Sequence, residues 1–496
     1  MALVDGTVAT SYGELCRGGA GWSNRLSDAG VGRGDRVAYL IPPGADHCAV
    51  LWGTWRAGAI AVPIALSHPP PEILHVLEDS DPAVVLVSAE AAHAAAVVDL
   101  CRERSVTAVV LENSPPSPRP FSPVPRPSPT QPALMIYTSG TTGRPKGVIT
   151  THGNVSAQIQ ALVEAWKWTE EDRILHVLPL HHVHGLINVL SCALWSGACC
   201  EFGRGVPERV WDRLGSGELS LFMAVPTIYG RLIRAWEEAP RSLQEKWSEG
   251  AARLRLMVSG SAALPVETLT RWRQITGHTL LERYGMTEIG MGLSNPLEGE
   301  RRPGHVGQPL PGVEARIVGP DGRAVPAGTS GEIEIRGPQV FAEYWRRPEE
   351  TRAAFRDGWF RTGDEGILDD GYYRILGRRS VDILKTGGYK VSALEIEEAY
   401  RHHPAVADLA VVGIADPDWG ERVCAAWIPA GEGRPSPDAL RAWGKERLAP
   451  YKIPREFLPV EALPRNAMGK VQKPAVAAMF ESSLPDTETD EVRRGR

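Results

Sequence analysis

Tyr137-Thr138-Ser139-Gly140-Thr141-Thr142-Gly143-Arg144-Pro145-Lys146-Gly147 follows the apolar run Ala133-Leu134-Met135-Ile136. The apolar run reads as a buried strand, and the six hydroxyl or glycine positions from Thr138 to Gly143 read as a loop. Backbone N–H groups in a glycine-rich loop can converge on an anion, the hydroxyls add donors, and Lys146 adds a cation. The Gly-Lys-Ser/Thr ending of a Walker A loop is absent. On composition alone a solvated turn fits equally well.

Upstream, Arg36–Ile41 and Ala83–Ser88 are short apolar runs of the kind found in parallel strands, with a helix-prone stretch from Asp46 to Ala57 between them. Strand–helix–strand alternation points to an α/β layered domain. Residues 114–132 carry nine prolines and predict an exposed connector. Downstream, Gly331–Gly337 alternates apolar and charged residues, as a half-buried antiparallel strand should. The texture changes near residue 380. Ser392 and Glu395 stand in capping-box spacing and open a helix, VADLAVVG and VCAAWI read as strands, and DALRAWGKERLA reads as a helix. The charged end, DTETDEVRRGR, is expected to fray.

The chain has 496 residues, enough for three or four units at about 150 residues each. Lys plus Arg total 54 against 60 Asp plus Glu, a net charge of −6, which argues against a nucleic-acid partner. With 43% hydrophobic residues there is ample surface to bury, so disorder is excluded. The seven cysteines show no CxxC spacing and suit free thiols in a reducing compartment. No basic and apolar leader and no run near about 20 apolar residues is visible, so a cytoplasmic protein without a membrane span is expected.

The order S-G-T-T-G-x-P-K-G is more specific than its composition. It resembles the signature of the adenylate-forming superfamily: acyl-CoA synthetases, luciferases and the adenylation domains of peptide synthetases. Four further motifs follow in family order: Glu282-Arg283-Tyr284-Gly285-Met286-Thr287-Glu288, Trp359 to Asp364, Gly377-Arg378 with Lys385 to Lys390, and Pro464 to Lys470. The resemblance implies an α/β fold with a large multi-layered N-terminal domain, 1–379, and a small mobile α+β C-terminal domain, 380–496, hinged at Ser380. It implies ATP and CoA as co-substrates and Mg²⁺ on Glu288. Thr138, Ser139, Gly140, Thr141, Thr142, Gly143 and Lys146 would meet the β- and γ-phosphates. Tyr284 would pack on adenine beside Gly285 and Met286, Thr287 would meet the α-phosphate, and Asp364, with Arg378 near it, the ribose. Lys470 would bridge the acid and the α-phosphate, and Gly387 and Gly388 would form the turn used for thioester formation.

In the family the acyl pocket falls on His181 to Gly185, Val225 to Arg231, Ser259 to Leu264, and Arg283. Two guanidinium groups there, Arg231 and Arg283, would make a bidentate carboxylate site, with Ser261 and His184 bonding the substrate or gating the pocket. The segments LPLHHVHG, VSGSAALP, ERYGMTE and KTGGYK are similar to those of malonyl-CoA synthetases. The implied reaction is malonate, ATP and CoA to malonyl-CoA, AMP and diphosphate through malonyl-AMP, with methylmalonate as a further substrate. A short- or medium-chain acyl-CoA synthetase and a standalone adenylation enzyme loading a carrier protein are the alternatives.

Overall fold

The computed structural model describes residues 1–111, 126–138, 145–203, 206–379, 381–386, 389–416, 419–431, 433–466 and 469–481. Among them the chain forms four sheets. The expected strands at Arg36–Leu40, Val84–Ser88 and Pro132–Thr138 all lie in one seven-stranded sheet, and the helix Ala45–Arg56 lies between the first two in sequence. Arg36–Leu40 is the central strand of a parallel set, paired with Ile60–Pro63 and Val84–Ser88. Both faces of such a strand are covered by helices, which explains its unbroken apolar run.

A nine-stranded sheet carries Arg173–His176, Leu221–Ala224, Leu256–Ser259 and Leu281–Met286 as parallel neighbours. The last two bring Ser259 and Arg283 to the same end of that sheet, where ligands of open α/β sheets bind. In a third sheet Trp359–Asp369 pairs with Gly331–Arg336 and with Tyr372–Arg378, so Asp364 faces Arg378 across the ladder.

The C-terminal part forms the fourth sheet, in which Val406–Asp416 and Gly420–Pro429 pair antiparallel over a long register. Its apolar clusters draw only on residues from Leu384 onward, whereas the buried residues of the other clusters end at Tyr373. The fold is therefore mixed α/β with a large N-terminal domain and a smaller C-terminal one. The helix Ala393–Arg401 begins at the expected Ser392, whose hydroxyl accepts from the Glu395 N–H at 3.2 Å. The reciprocal half of the capping box is replaced, because the Glu395 carboxylate takes the Lys452 ammonium at 2.5 Å. Residues 114–125 of the connector and the tail from 482 lie outside the described residues.

An aromatic stack lies in the N-terminal core. Trp272 packs on Trp211 at 5.2 Å and edge-on to Tyr229 at 4.8 Å, and Tyr229 belongs to the helix Pro226–Glu238. Trp272→Ala should cost about 3–5 kcal/mol in urea unfolding.

Candidate functional site

A cleft of about 1310 Å³ lies between the N-terminal sheets and the C-terminal part, bounded by Ser261, Arg283, Tyr284, Asp364, Arg378 and Lys470 among others. Four of the five motifs, together with the segment Ser259 to Leu264, thus meet on one cavity. Tyr284 donates its hydroxyl proton to Asp364 Oδ2 at 2.5 Å, and Arg378 Nε stands 3.9 Å from Asp364 Oδ1. Burial pushes the Asp364 carboxyl upward, and the Arg378 guanidinium opposes that push. Gly285 and Met286 line the same wall. A Cβ on Gly285 would stand 2.1 Å from the Gly290 carbonyl oxygen, so no side chain fits at that turn.

Thr287 and Glu288 are buried just beyond. Glu288 Oε1 accepts from the Tyr344 hydroxyl at 3.0 Å, and burial raises its carboxyl above the ordinary range. Among the described residues no three His, Cys, Asp or Glu side chains converge as a metal cage. Magnesium does not require one, since it is commonly held by one or two carboxylates with substrate phosphates and water. A buried carboxylate short of counter-charge fits that role. Thr138 ends its strand half-buried, and Lys146 forms an ion pair with Glu350 while its ammonium lies 5.4 Å from the Tyr344 ring centre. Ser139, Gly140, Thr141, Thr142 and Gly143 lie outside the described residues, as do Ser380, Gly387 and Gly388.

Lys470 reaches the cleft on a tight turn: its N–H donates to Asn466 Oδ1 at 3.0 Å, and its carbonyl accepts from the Asn466 N–H at 2.9 Å. Gly469 has φ +75°, and a Cβ there would lie 2.9 Å from Thr227 Oγ1. The glycine lets the C-terminal turn press against the helix carrying the acyl-binding segment. Lys470 remains open to water through the cleft. Its ammonium pKa is lowered by burial and by Arg283, while Asp364 and Glu288 pull the other way. One cation thus feels both the acyl and the nucleotide walls.

Arg283 is 2% exposed. Its Nη2 donates to Ser261 Oγ at 3.3 Å, but its buried Nε and Nη1 have no hydrogen-bond partner among the described residues. Gly260 lies directly under the guanidinium, where a Cβ would come within 2.6 Å of Cζ. Ser261 holds φ +72°, unusual for a residue with a side chain, and its hydroxyl also lies 3.2 Å from His184 Nδ1. His184 opens a π-helix, His184–Ser191, a form enriched at functional sites. Burial and the neighbouring Arg283 hold its imidazole neutral, and burial likewise drops His182 to about 4.

The expected convergence of two arginines is not what the described chain presents. The helix Pro226–Glu238 buries Tyr229, Leu232 and Ile233, which turns Arg231 to solvent and away from the cleft lining. Glu282, by contrast, had no sequence signal beyond its motif. It is buried, Oε1 accepts from the Leu264 N–H at 3.1 Å, Oε2 has no partner, and burial raises its carboxyl to about 8. Tyr344 and Glu350 gave no sequence signal, since only folding brings each of them to its partner.

The raised Glu282 carboxyl has a consequence for stability. An unfolded carboxyl titrates near 4.5, so the folded chain holds a proton that the unfolded chain has released, and stability falls as pH rises from about 4.5 to about 8. Glu282→Gln keeps the acceptor for Leu264 and removes the titration. Its melting temperature relative to the parent should be more favourable at pH 9 than at pH 5, measured by thermal denaturation across that range.

Two family models match the chain: AMP-binding enzyme over residues 1–345 and AMP-binding enzyme C-terminal domain over residues 395–470. The chain is 46% identical over 487 residues to the malonate–CoA ligase ACSF3, mitochondrial, of Xenopus laevis, covering 90% of this chain and 83% of that protein. It is 35% identical to the sulfoacetate–CoA ligase of Cupriavidus necator, covering 95% and 91%. The crystal structure of ATP-bound MatB from Rhodopseudomonas palustris superposes with a TM-score of 0.88 at 34% identity, covering 97% of this chain and 95% of that one. With its nucleotide wall, its cleft and its C-terminal lysine turn, the chain belongs to the AMP-binding enzyme family.

Proposed function

We propose that this protein is an AMP-forming acid–CoA ligase that converts malonate, ATP and CoA to malonyl-CoA, AMP and diphosphate. The first step is attack of a malonate carboxylate on the α-phosphorus, forming malonyl-AMP and expelling diphosphate. The obstacle is the approach of an anion to a polyanion, so fixed cations and donors are the largest available aid. Lys470 spans the acid and the α-phosphate, and Thr287 donates to the same phosphate. Tyr284 stacks on adenine, Asp364 accepts from the ribose hydroxyls, and Arg378 steadies Asp364. Lys146 and the loop Thr138–Gly143 take the β- and γ-phosphates. Bound at Glu288, Mg²⁺ neutralises phosphate charge.

The choice of acid rests on Arg283. A buried guanidinium with two unpaired donor atoms calls for an anionic partner, and an apolar acyl tail would leave it unpaired at a cost of several kcal/mol. Malonate and sulfoacetate, the acids in the relatives' names, both place a second anion one methylene from the reacting carboxyl. Ser261 and His184 complete the acceptor side, and Arg231 acts as a further, solvent-side cation. Methylmalonate fits the same pairing of charges.

In the second step the CoA thiol attacks the malonyl carbonyl and AMP leaves. Lys470 and its turn occupy the approach, so the C-terminal domain, 380–496, rotates about Ser380 and brings Gly387 and Gly388 to the channel. The proposed setting is the cytoplasm. All seven cysteines are free, and no described helix is long and apolar enough to cross a membrane. The animal relatives are named mitochondrial, and both compartments keep thiols reduced.

Pyrophosphate release with malonate, methylmalonate, succinate, acetate and octanoate tests the acid. Malonate should be best, and octanoate as the best substrate would overturn the proposal. Arg283→Ala should lower kcat/KM for malonate about 10- to 100-fold with little change in ATP binding, as loss of a hydrogen-bonded charge contact predicts. Lys470→Ala should abolish malonyl-AMP formation yet spare thiolysis of supplied malonyl-AMP. Equal loss of both half-reactions would sink the two-orientation mechanism.

A further inference from the structure

The helix Pro348–Ala353 places Glu350 against Lys146, although the two are 204 positions apart in sequence. Lys146 is the cation following the phosphate loop, and its ammonium is engaged by a carboxylate of the chain itself. Glu350 has a second partner, Arg347 Nη1 at 3.3 Å. Arg347 Nη2 reaches Asp79 Oδ1 at 3.5 Å, and Asp79 Oδ2 accepts from the Tyr137 hydroxyl at 2.8 Å on the strand that leads into the loop. The Tyr344 ring lies under the same ammonium, while the Tyr344 hydroxyl donates to Glu288. One short segment therefore holds both the loop cation and the carboxylate on the opposite side of the polyphosphate.

We propose that Glu350 is a positioning residue that holds Lys146 when nucleotide is absent and competes with diphosphate for it, setting how readily that product leaves. The proposal rests on the reading of Lys146 as a phosphate-binding cation. Two features make the exchange of partners inexpensive. Glu350 keeps Arg347 when Lys146 turns to phosphate, so no carboxylate is stranded. The Lys146–Glu350 pair is also part-exposed, with side chains 21% and 40% accessible, and such pairs are individually weak enough to open. A phosphate polyanion outbids one carboxylate for the ammonium, and the carboxylate recovers it as diphosphate departs. The hydrogen bond from Lys146 keeps the Glu350 carboxyl below its ordinary range, so it is an anion throughout the neutral region.

ATP–diphosphate exchange and steady-state kinetics on the full chain test this with Glu350→Gln, Glu349→Gln, Lys146→Gln and the Glu350→Gln/Lys146→Gln double variant. Glu350→Gln should lower both the KM for ATP and the inhibition constant of diphosphate about three- to fivefold, the size of a part-exposed ion pair, with the KM for malonate unchanged. Glu349→Gln makes the same change in net charge one residue away and should leave all three constants alone. In the Lys146→Gln background the Glu350 substitution should have no effect. An unchanged diphosphate constant in Glu350→Gln, an equal shift in Glu349→Gln, or a shift that persists without Lys146 would each overturn the proposal. If Lys146→Gln alone leaves the KM for ATP unchanged, the reading of Lys146 itself falls, a result separate from a failure of Glu350 alone.

Discussion

Carrying an arginine into a protein interior without a partner for all its donors is expensive, and Arg283 is held in that state. Its strand, Leu281–Met286, sits inside a nine-stranded sheet whose ladder bonds fix the backbone regardless of the side chain. The guanidinium rests on Gly260 because no Cβ fits there, and Ser261 offers only one acceptor from a left-handed backbone position. Effective costs of several kcal/mol attend an uncompensated buried ion. In the proposed reaction a ligand that brings the missing anion recovers much of that cost, so the pocket would discriminate by what it lacks.

The same logic runs through the rest of the cleft with the sign alternating. Asp364 and Glu288 are carboxylates raised by burial, while Lys470 and Arg283 are cations lowered by it. In each case burial disfavours the charged form, and a ligand of opposite charge would favour it. The imidazoles of His176, His182 and His184 are held neutral by burial, so they add polarity near Arg283 and Lys470 without adding like charge. A net charge of −6 over the whole chain does not describe the cleft, whose lining sets Arg283, Arg378 and Lys470 beside Asp364 and Glu282.

Much of this was legible before folding because it is local. Apolar runs such as Arg36–Leu40 declare buried strands through their own composition, and Ser392 declares its helix start by its spacing to the next N–H donors. The motif residues Tyr284, Asp364 and Lys470 were readable as an ordered set, although nothing in their spacing says that Tyr284 and Asp364 touch. The exposure of Arg231 was not legible in the motif. Its position on the helix is set by the neighbours that pack, and Tyr229, Leu232 and Ile233 claim the inner face. Glu350 and Glu282 left no trace because their meaning lies in long-range contacts: Glu350 pairs with Lys146 across two sheets' worth of chain, and Glu282 is stranded by what covers it.

The contacts that seat the C-terminal part differ in kind from those that hold each part together. Glu398 Oε1 accepts from the Val266 N–H at 3.2 Å, the Ser392 hydroxyl donates to the Leu376 carbonyl, and Gly469 touches Thr227. These are single polar or close backbone contacts, whereas the apolar clusters on either side do not merge. A hydrogen bond exchanged for one with water is worth only about 0.5–1.5 kcal/mol, while apolar area once buried is costly to expose. An interface built this way can be left and re-formed without opening a core. The buried pair of Lys473 with Glu397 and Asp382 moves with the C-terminal part and keeps the Lys470 turn in register with its own sheet. The proposed rotation would therefore break only these few polar and backbone contacts, and it would carry the Lys470 turn out of the cleft with both apolar cores intact.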